Sequence, residues 1–397
     1  MKYNNIIFKT LITLITMLTI TSCVGMGGAN ISSVANDISY DVGTLRNVQK
    51  ISDDGFAKAW LTVTKDGASL LYNEITVERI PGRRGRENII DLTHTSRVIF
   101  LRNAQNFIKT PTSVVLEDSH RLVAGTDVII APEVRWIPKG MDIETAVRIH
   151  NDRWFNFFNK IPGVGVFNDD GINFIYSEAE RGARQLVRAN VNTTAKTFIT
   201  QRAVGGEDGI PSIRDGIIVF QTTVNNQNQL FLIREDGLTM SRSSRRADGS
   251  VMTENATQIN LGSGMHPSWH PTEDKIVFIM NGNIMEMNTN DTQQTQIYGI
   301  SSRERQEGLV CLLPNYTADG RHVLFLKGVM VPVGQGRQQQ SVTRTHLFAM
   351  NVDGSNVTEL TNGNFNILHY SVADDNQIFF ISDVGGVTEI WSATINL

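Results

Sequence analysis

The chain repeats one short pattern, and this repetition restricts its fold more than any other feature of the sequence. In each copy, an aromatic or aliphatic residue ends one strand, a turn of the Asp-Gly type follows, and an apolar strand ends in Tyr or Phe. The residues that end the first strand of each copy are Trp60, Phe167, Ile213, Trp269, Tyr316 and Tyr370. Successive copies are separated by roughly 50 residues, and the first interval is about twice as long.

The turns and strands of each copy predict small antiparallel sheets. Asp-Gly favours a tight hairpin, because such turns need positive φ at their central residues. The runs 217–220 and 276–279 are continuously apolar, as in strands that are covered on both faces. Further strands follow at 229–233 and 346–350. A unit of several strands with this period is typical of a β-propeller blade, since stacked blades bury both faces of each sheet.

The predicted fold class is therefore all-β, with a β-propeller over residues 44–397. Six blades are recognisable, and residues 94–165 hold either a divergent seventh blade or an insertion. The last copy ends without an outer strand. We expect residues 44–50 to supply that strand and to close the ring.

The repeats resemble the WD-like repeats of TolB-type propellers. That pattern is an aromatic residue, Ser-Pro-Asp-Gly and an apolar strand, followed by an Asp-Gly … Leu-Thr segment. The best matches are Ser268-Trp269-His270-Pro271, Val352-Asp353-Gly354-Ser355 and Glu359-Leu360-Thr361. The resemblance covers residues 45–397, is strongest after residue 211, and implies a propeller. No α/β domain of TolB size precedes the repeats, and TolB is a soluble periplasmic protein, so the resemblance supports the fold well and the Tol–Pal role poorly.

Residues 1–22 predict a signal peptide, with a basic start and an apolar core too short to cross about 30 Å of hydrocarbon. The sequence Ile20-Thr21-Ser22-Cys23 follows and resembles the bacterial lipobox. We therefore expect palmitate and other acyl chains on Cys23, with residues 23–43 as a flexible tether. The alternative is an ordinary secretory signal with an incidental cysteine.

The expected location is the cell envelope, on the periplasmic face or the surface of the outer membrane. Val24 follows the modified cysteine, and the absence of aspartate there resembles the outer-membrane sorting of Gram-negative lipoproteins. Cys311 lies in an apolar run and has no disulfide partner if Cys23 is acylated, so a buried, inert thiol is predicted. The net charge of −4 does not favour nucleic-acid binding.

Two segments are candidates for binding an envelope protein or a glycan. Residues 142–158 fit an amphipathic helix with an aromatic stripe that includes Trp154, Phe157 and Phe158. This helix either docks a partner or packs onto the propeller. A basic loop carries Arg83, Arg84 and Arg86, and it either contacts acidic lipid or polysaccharide or is simply solvated.

No catalytic motif, cofactor motif or metal-ligand pattern is recognisable. His266 and His270 form a close pair, but each precedes a proline, and no further metal ligands are indicated. We expect them to be histidines of the repeat turns. The repeated aspartates are also expected to form turns and not acid–base pairs. These aspartates are Asp66, Asp170, Asp215 and Asp319.

The sequence therefore predicts a non-catalytic, envelope-anchored protein-binding module without cofactor. One alternative is a propeller enzyme or glycan-binding protein with its site at the channel mouth. Another is a propeller that gates a peptidase, which needs an additional hydrolase domain. Fold alone does not separate these functions.

Replacing Cys23 with Ala removes the predicted acylation site. We expect the Cys23→Ala variant to lose labelling by an alkyne analogue of palmitate and to leave the detergent phase on partitioning, because its acyl chains are its membrane anchor. Cys311→Ala is the control and should keep both properties. A wild-type chain that takes up no label would instead favour the ordinary secretory signal.

Overall fold

The protein is almost entirely β-strand wherever the structure describes it, as predicted. The structure is a computed structural model that describes residues 38–40, 43–52, 57–67, 69–80, 89–100, 117–124, 134–137, 165–180, 183–190, 195–202, 206–224, 227–245, 251–333 and 340–397. Among these residues, no helical segment has the length and hydrophobicity that crossing a bilayer requires.

The N-terminal part of the chain forms two mainly antiparallel sheets after two short strands. The short strands are β1 (Ser39–Tyr40) and β2 (Leu45–Lys50). Sheet 1 contains β3 (Ala57–Val63), β4 (Ser69–Ile80), β5 (Ile89–Phe100), β6 (Glu117–Ala124) and β7 (Val134–Ile137), the last of which runs parallel to β6. Sheet 2 contains β8 (Val166–Phe167), β9 (Asn173–Glu180), β10 (Ala183–Asn190) and β11 (Lys196–Phe198). A short parallel pairing at Arg184 and Glu207 joins sheet 2 to sheet 3, so that the two form one continuous eight-stranded sheet.

The middle of the chain forms sheets 3 and 4. Sheet 3 begins with β12 (Glu207–Arg214), β13 (Ile217–Val224) and β14 (Gln227–Arg234). A separate hairpin of β15 (Met240–Arg245) and β16 (Val251–Ala256) follows, and β17 (Gln258–Ser263) completes the sheet beside β14. Sheet 4 contains β18 (Met265–Trp269), β19 (Lys275–Met280), β20 (Asn283–Asn288) and β21 (Gln294–Tyr298). The short helix α1 (Ser302–Gln306) begins with a capping box at Ser301.

The C-terminal part forms sheets 5 and 6. Sheet 5 contains β22 (Cys311–Tyr316), β23 (His322–Val333), β24 (Gln340–Asn351) and β25 (Thr358–Glu359). The short β26 (Thr361–Asn362) pairs with β1. Sheet 6 contains β27 (Ile367–Val372), β28 (Gln377–Ser382) and β29 (Glu389–Ile395), with β2 as its outer strand.

The pairing of β2 with β29 confirms that residues 44–50 supply the missing outer strand of the last copy. Leu45 lies opposite Ile395 and Lys50 lies opposite Trp391. Leu45 is completely buried. The start and the end of the described chain are therefore held in one sheet, so that neither end of the repeat array has an unpaired edge here.

The described strands between residues 94 and 165 extend sheet 1. β5 pairs with β4 along its whole length, and β6 and β7 add to the same sheet. These described strands thus belong to the same sheet as β3 and β4. The helix predicted over residues 142–158 lies outside the described residues.

The second strands of the sheets are covered on both faces, as their apolar runs predict. In β19, Ile276 and Phe278 pack in a cluster shared with sheet 3. The alternate residues Val277 and Ile279 pack in a cluster shared with sheet 5. Each fully buried apolar side chain of this kind contributes about 1.5–3 kcal/mol to folding. The neighbouring sheets are thus joined face to face by continuous cores.

The repeated aspartates form turns, as predicted. Asp170 accepts hydrogen bonds from the backbone N–H groups of Ile172 and Asn173, both at 2.8 Å. Asp319 accepts from the N–H of Arg321 at 3.0 Å. In both turns only the following glycine has positive φ, whereas Asp215 (φ 52°) and Gly216 (φ 71°) form a two-residue turn. The expectation of positive φ at both central residues is therefore right at 215–216. It is wrong at the turns of Asp170 and Asp319, which contain more residues.

A buried ion pair joins the first and last sheets. The Lys58 ammonium on β3 lies 3.0 Å from a carboxylate oxygen of Glu389 on β29, and their side chains are 0% and 3% exposed. Ser52 donates a hydrogen bond to the same carboxylate. The backbone N–H of Lys58 also donates to Thr388 Oγ1 at 2.7 Å. Both charges are therefore satisfied where water does not reach them.

Breaking this pair should destabilise the fold strongly. We expect Glu389→Gln to lower the free energy of unfolding by about 3–5 kcal/mol, because it leaves the Lys58 ammonium buried without a counter-charge. The double variant Lys58→Met/Glu389→Leu should regain most of that loss. Lys65→Met is the control, since the exposed Lys65 should contribute less than about 1 kcal/mol. Urea denaturation measures all three, and equal losses for the two single variants would contradict the assignment.

Candidate functional site: the central cavity

The first strands of the sheets surround one cavity of about 230 Å³. Its wall contains residues of β3, β8, β12, β18, β22 and β27 and of the turns that follow them. Neighbouring first strands also pack against each other around this cavity, as β12 does with β18 and β18 with β22. Small meander sheets arranged with their first strands around a common centre are the architecture of a β-propeller.

Irregular backbone shapes the cavity wall. In sheets 3, 4 and 5, the first strand contains a β-bulge, and a residue with positive φ stands at each bulge, directly before a proline. These residues are Ile210 (φ 50°), His266 (φ 53°) and Leu313 (φ 49°). Positive φ is unfavourable for such side chains, above all for the β-branched isoleucine. All three line the cavity. A bulge redirects its side chain, so these bulges determine what the cavity wall presents.

His266 is a neutral hydrogen-bond donor in this wall. Its Nδ1 accepts the backbone N–H of Leu313 at 3.3 Å, so the hydrogen of the neutral ring is on Nε2. Burial lowers the pKa of His266 to about 4, because no nearby acidic group compensates for the loss of water. The imidazole is therefore uncharged at neutral pH.

His369 has the same arrangement on β27. Its Nδ1 accepts a long hydrogen bond of 3.5 Å from the backbone N–H of Leu61, which again leaves the hydrogen on Nε2. The side chain is 6% exposed, and burial, together with the proximity of His266, lowers the pKa of His369 to about 4. Among the described residues, neither His266 nor His369 has a hydrogen-bond partner for Nε2. The cavity thus offers two neutral imidazole donors.

Hydroxyl groups join neighbouring first strands around the cavity. Ser212 Oγ accepts the backbone N–H of Trp269 at 3.1 Å, and Ser371 Oγ accepts that of Val63 at 3.2 Å. These contacts hold the first strands in register, since each one satisfies a backbone donor across a sheet boundary. The serines are therefore structural parts of the wall.

Carboxylates crowd one side of the cavity mouth. Lys65 and Asp169 line the cavity, with 3.6 Å between Lys65 Nζ and the carboxylate. The backbone N–H of Asp374 donates to the carbonyl of Lys65 at 2.8 Å. The pKa of Asp374 is raised by partial burial and by the charges of Asp169, Asp375 and Asp66, against the opposing effect of Lys65. Asp374 is thus influenced by three other carboxylates and by one ammonium group.

Arg214 lies in the wall, where its charge is already matched. Its guanidinium stacks 4.6 Å from the centre of the Trp269 ring and donates to the carbonyl of His270 at 3.1 Å. It also contacts the Asp274 carboxylate at 2.5 Å. Arg214 therefore supports the wall and does not offset the carboxylates around Lys65.

His266 and His270 have different roles although they are close in sequence. His270 Nδ1 accepts the backbone N–H groups of Thr272 and Glu273, at 3.2 and 3.0 Å, which confirms its prediction as a turn histidine. His266 stands in the bulge of β18 and faces the cavity, so its assignment to a turn is wrong. Within the described ranges, no three His, Cys, Asp or Glu side chains are grouped as metal ligation would require.

The sequence-based alignment is shifted in the first and last copies. In sheets 4, 5 and 6, the residue after the first strand donates its N–H to the start of the second strand. These residues are His270, Thr317 and Ala373. Val372 therefore occupies the place of Trp269, not Tyr370 as predicted. The turn at Thr64 likewise places Val63, and not Trp60, in that position. Trp60 and Tyr370 resemble the aromatic residues that end the first strand in other copies, and for this reason the sequence pattern assigned them to the strand ends.

The corrected alignment reveals the site histidines. His369 precedes Val372 by three residues, as His266 precedes Trp269, so the two imidazoles occupy equivalent positions in their copies. This recurrence is the signal that could have identified them from the sequence. When Tyr370 is placed at the strand end, His369 precedes the strand end by one residue and no longer matches His266.

The predicted partner-binding residues lie outside the described residues. This applies to the lipid-attachment residue and to the basic and aromatic candidates, namely Cys23, Arg83, Arg84, Arg86, Trp154, Phe157 and Phe158. They stay predictions. Cys311 is described, and its prediction as a buried, inert thiol is confirmed: it is 1% exposed, and burial raises its pKa to about 12.

No protein-family model matches the chain, and no curated protein matches it in sequence. Solved structures resemble it remotely. A protein assigned as TolB from Agrobacterium tumefaciens has a TM-score of 0.44 and 9% identity, with 91% of this chain and 99% of that chain covered. An oligogalacturonate lyase from Vibrio parahaemolyticus has a TM-score of 0.42 and 11% identity, with 87% and 93% covered.

A structure of prolyl endopeptidases has a TM-score of 0.38 and 10% identity, with 87% of this chain and 44% of that chain covered. The similar structures thus include TolB, as the resemblance of the repeats predicts, and also enzymes. They do not support the expectation of a non-catalytic protein, which stays a prediction.

The buried histidines should make stability depend on pH. Between about pH 6.5 and pH 4, the unfolded chain protonates His369 and the folded chain does not, so the free energy of unfolding should fall as pH falls, by up to about 3 kcal/mol. When the pH is lowered from about 7.5 to about 5, the free energy of unfolding measured by urea titration should fall less for His369→Gln than for wild type. His322→Gln is the control. If wild type and His369→Gln differ by the same free energy of unfolding at both pH values, the lowered pKa of His369 is refuted.

Proposed function

We propose that the protein is a non-catalytic binding module, anchored in the cell envelope through Cys23, that receives a segment of a partner protein in its central cavity. The observation that carries the proposal is the pair of neutral imidazoles, His266 and His369, whose Nε2–H groups line the cavity without an acceptor among the described residues. Two such donors on one cavity wall are suited to the oxygen acceptors of a bound ligand.

The module is a ring of six blades, sheets 1 to 6. Three observations support this number. The first strand of each sheet reaches the cavity, β2 closes sheet 6 beside β29, and β5 to β7 extend sheet 1 without forming another blade. A closed ring fixes the wall of the cavity from all sides, and such a preformed wall favours binding.

Binding is favoured over catalysis by the environment of the imidazoles. An activated nucleophile needs a base within hydrogen-bond reach, and that base is usually oriented by a carboxylate. In the described part of the chain, neither His266 nor His369 is hydrogen-bonded to a hydroxyl or a carboxylate. A ring with a pKa near 4 is also a weak general base at neutral pH.

Site-specific photo-crosslinking in cells tests the proposal. A benzoylphenylalanine at Ala318, which lines the cavity mouth, should capture one predominant envelope protein. The same residue at Thr295, exposed on the outer strand β21, is the matched control and should not capture that protein. The Cys23→Ala background should weaken the capture, because the anchor concentrates the module at the membrane.

The proposal fails if Ala318 captures no protein, or if both positions capture the same proteins equally. A bound glycan at the mouth, released by glycosidase treatment of the cross-linked species, would favour the glycan-binding alternative. Turnover of an added substrate that is lost in His266→Gln and His369→Gln variants would favour an enzyme.

A further inference from the structure

The cavity has two chemically different ends. His369 lies within β27, and Asp374 lies five positions further along the chain, at the mouth. β27 ends at Val372, so the strand from His369 to its end spans roughly 10 Å at about 3.3 Å per residue, and Asp374 lies in the turn beyond. The inner end offers imidazole donors, and the mouth carries carboxylates in excess of ammonium groups. A ligand that satisfies both ends must be extended and must carry different groups along its length.

The inner end is suited to an oxygen acceptor. His369 is more than nine-tenths buried, it lines the cavity, and its Nε2–H has no acceptor among the described residues. His266 presents the same donor from sheet 4, two sheets away along the chain. Neutral N–H donors match a carbonyl or a carboxylate oxygen, not a cation.

The mouth requires a positive charge. Among the described residues, Lys65 and Arg214 are the cations that line the cavity, and Arg214 is paired with Asp274. Lys65 lies beside Asp169, and two more carboxylates, Asp66 and Asp375, act on Asp374. These groups come from sheets 1, 2 and 6, so the cluster belongs to the assembled ring and not to one turn. A ligand ammonium or guanidinium group near Asp374 would relieve the repulsion between like charges.

We infer that the cavity binds an extended peptide that carries a lysine or arginine at the mouth and places an acceptor oxygen against His266 and His369 at its inner end. The inference rests on the proposed function and specifies its ligand. A positive charge at the mouth favours a peptide over an oligosaccharide, because lysine and arginine side chains carry such a charge and the hydroxyl groups of a sugar do not. The basic side chain determines register, and the acceptor satisfies the buried donors.

Peptide pools of random sequence with one fixed residue test the charge requirement. The full-length chain in detergent is titrated with fluorescent pools whose fixed residue is Lys, Ser or Glu, and anisotropy reports binding. We expect the Lys pool to bind at least about tenfold more tightly than the Glu pool. This preference should shrink strongly in about 0.5 M salt, since the attraction is between partly exposed charges.

Variants assign the preference to the two ends. Asp169→Asn/Asp374→Asn should reduce the Lys preference severalfold, whereas Asp353→Asn, in an exposed turn that does not line the cavity, should preserve it. His369→Phe should weaken all pools, and His369→Gln, which keeps an N–H donor, should restore binding. Thermal unfolding checks that each variant is folded. Amidated and free C-termini in the pools distinguish a backbone carbonyl from a terminal carboxylate as the acceptor.

Equal binding of the Lys and Glu pools, or an equal effect of Asp353→Asn, overturns the inference. Stronger competition by an amine-bearing chitosan oligosaccharide than by the Lys pool also overturns it. The two proposals fail separately. If Ala318 captures a protein and the capture is insensitive to Asp169→Asn/Asp374→Asn, the proposed function stands and the inferred ligand chemistry is wrong.

Discussion

The buried contact between Lys58 and Glu389 is the interaction on which the arrangement of this protein depends. It joins β3 of the first sheet to β29 of the last, far from solvent. Two isolated charges could not remain there, so the pair requires both sheets to be in place at once. β2, on the other edge of β29, ties the N-terminal segment to the same sheet. The ends of the repeat array are therefore joined by charge and by strand pairing.

The cavity is a consequence of this closure. Sheets that are covered on both faces by neighbouring sheets must stand side by side around a centre, and their first strands then face each other across it. The β-bulges in the first strands of sheets 3, 4 and 5 determine which side chains face the cavity. At Ile210, His266 and Leu313, the bulges impose positive φ, which is a local strain that the surrounding packing supports. These three strained residues all line the cavity.

The fold could be predicted to a large extent from the sequence, because its signals are local. Asp-Gly turns, apolar strands and a regular period are each readable in short windows, and the outer strand at residues 44–50 followed from a missing element in the last copy. The predicted strand ends at Trp60 and Tyr370 are wrong, because the aromatic residues of these copies do not stand at the ends of their strands. In sheets 1 and 6, valines occupy those places, and the aromatics stand earlier in the strand.

The sequence by itself determined the all-β class, the repeated turn aspartates and the buried Cys311, since each depends on neighbouring residues. Only the tertiary structure decided that His266 and His369 line one cavity and that Asp169 and Asp374 meet at its mouth. These residues belong to three different sheets, and Asp169 and Asp374 are 205 positions apart in the chain. Burial lowers the pKa of His369, and burial together with neighbouring carboxylates raises the pKa of Asp374. Both effects require the sheets to be assembled.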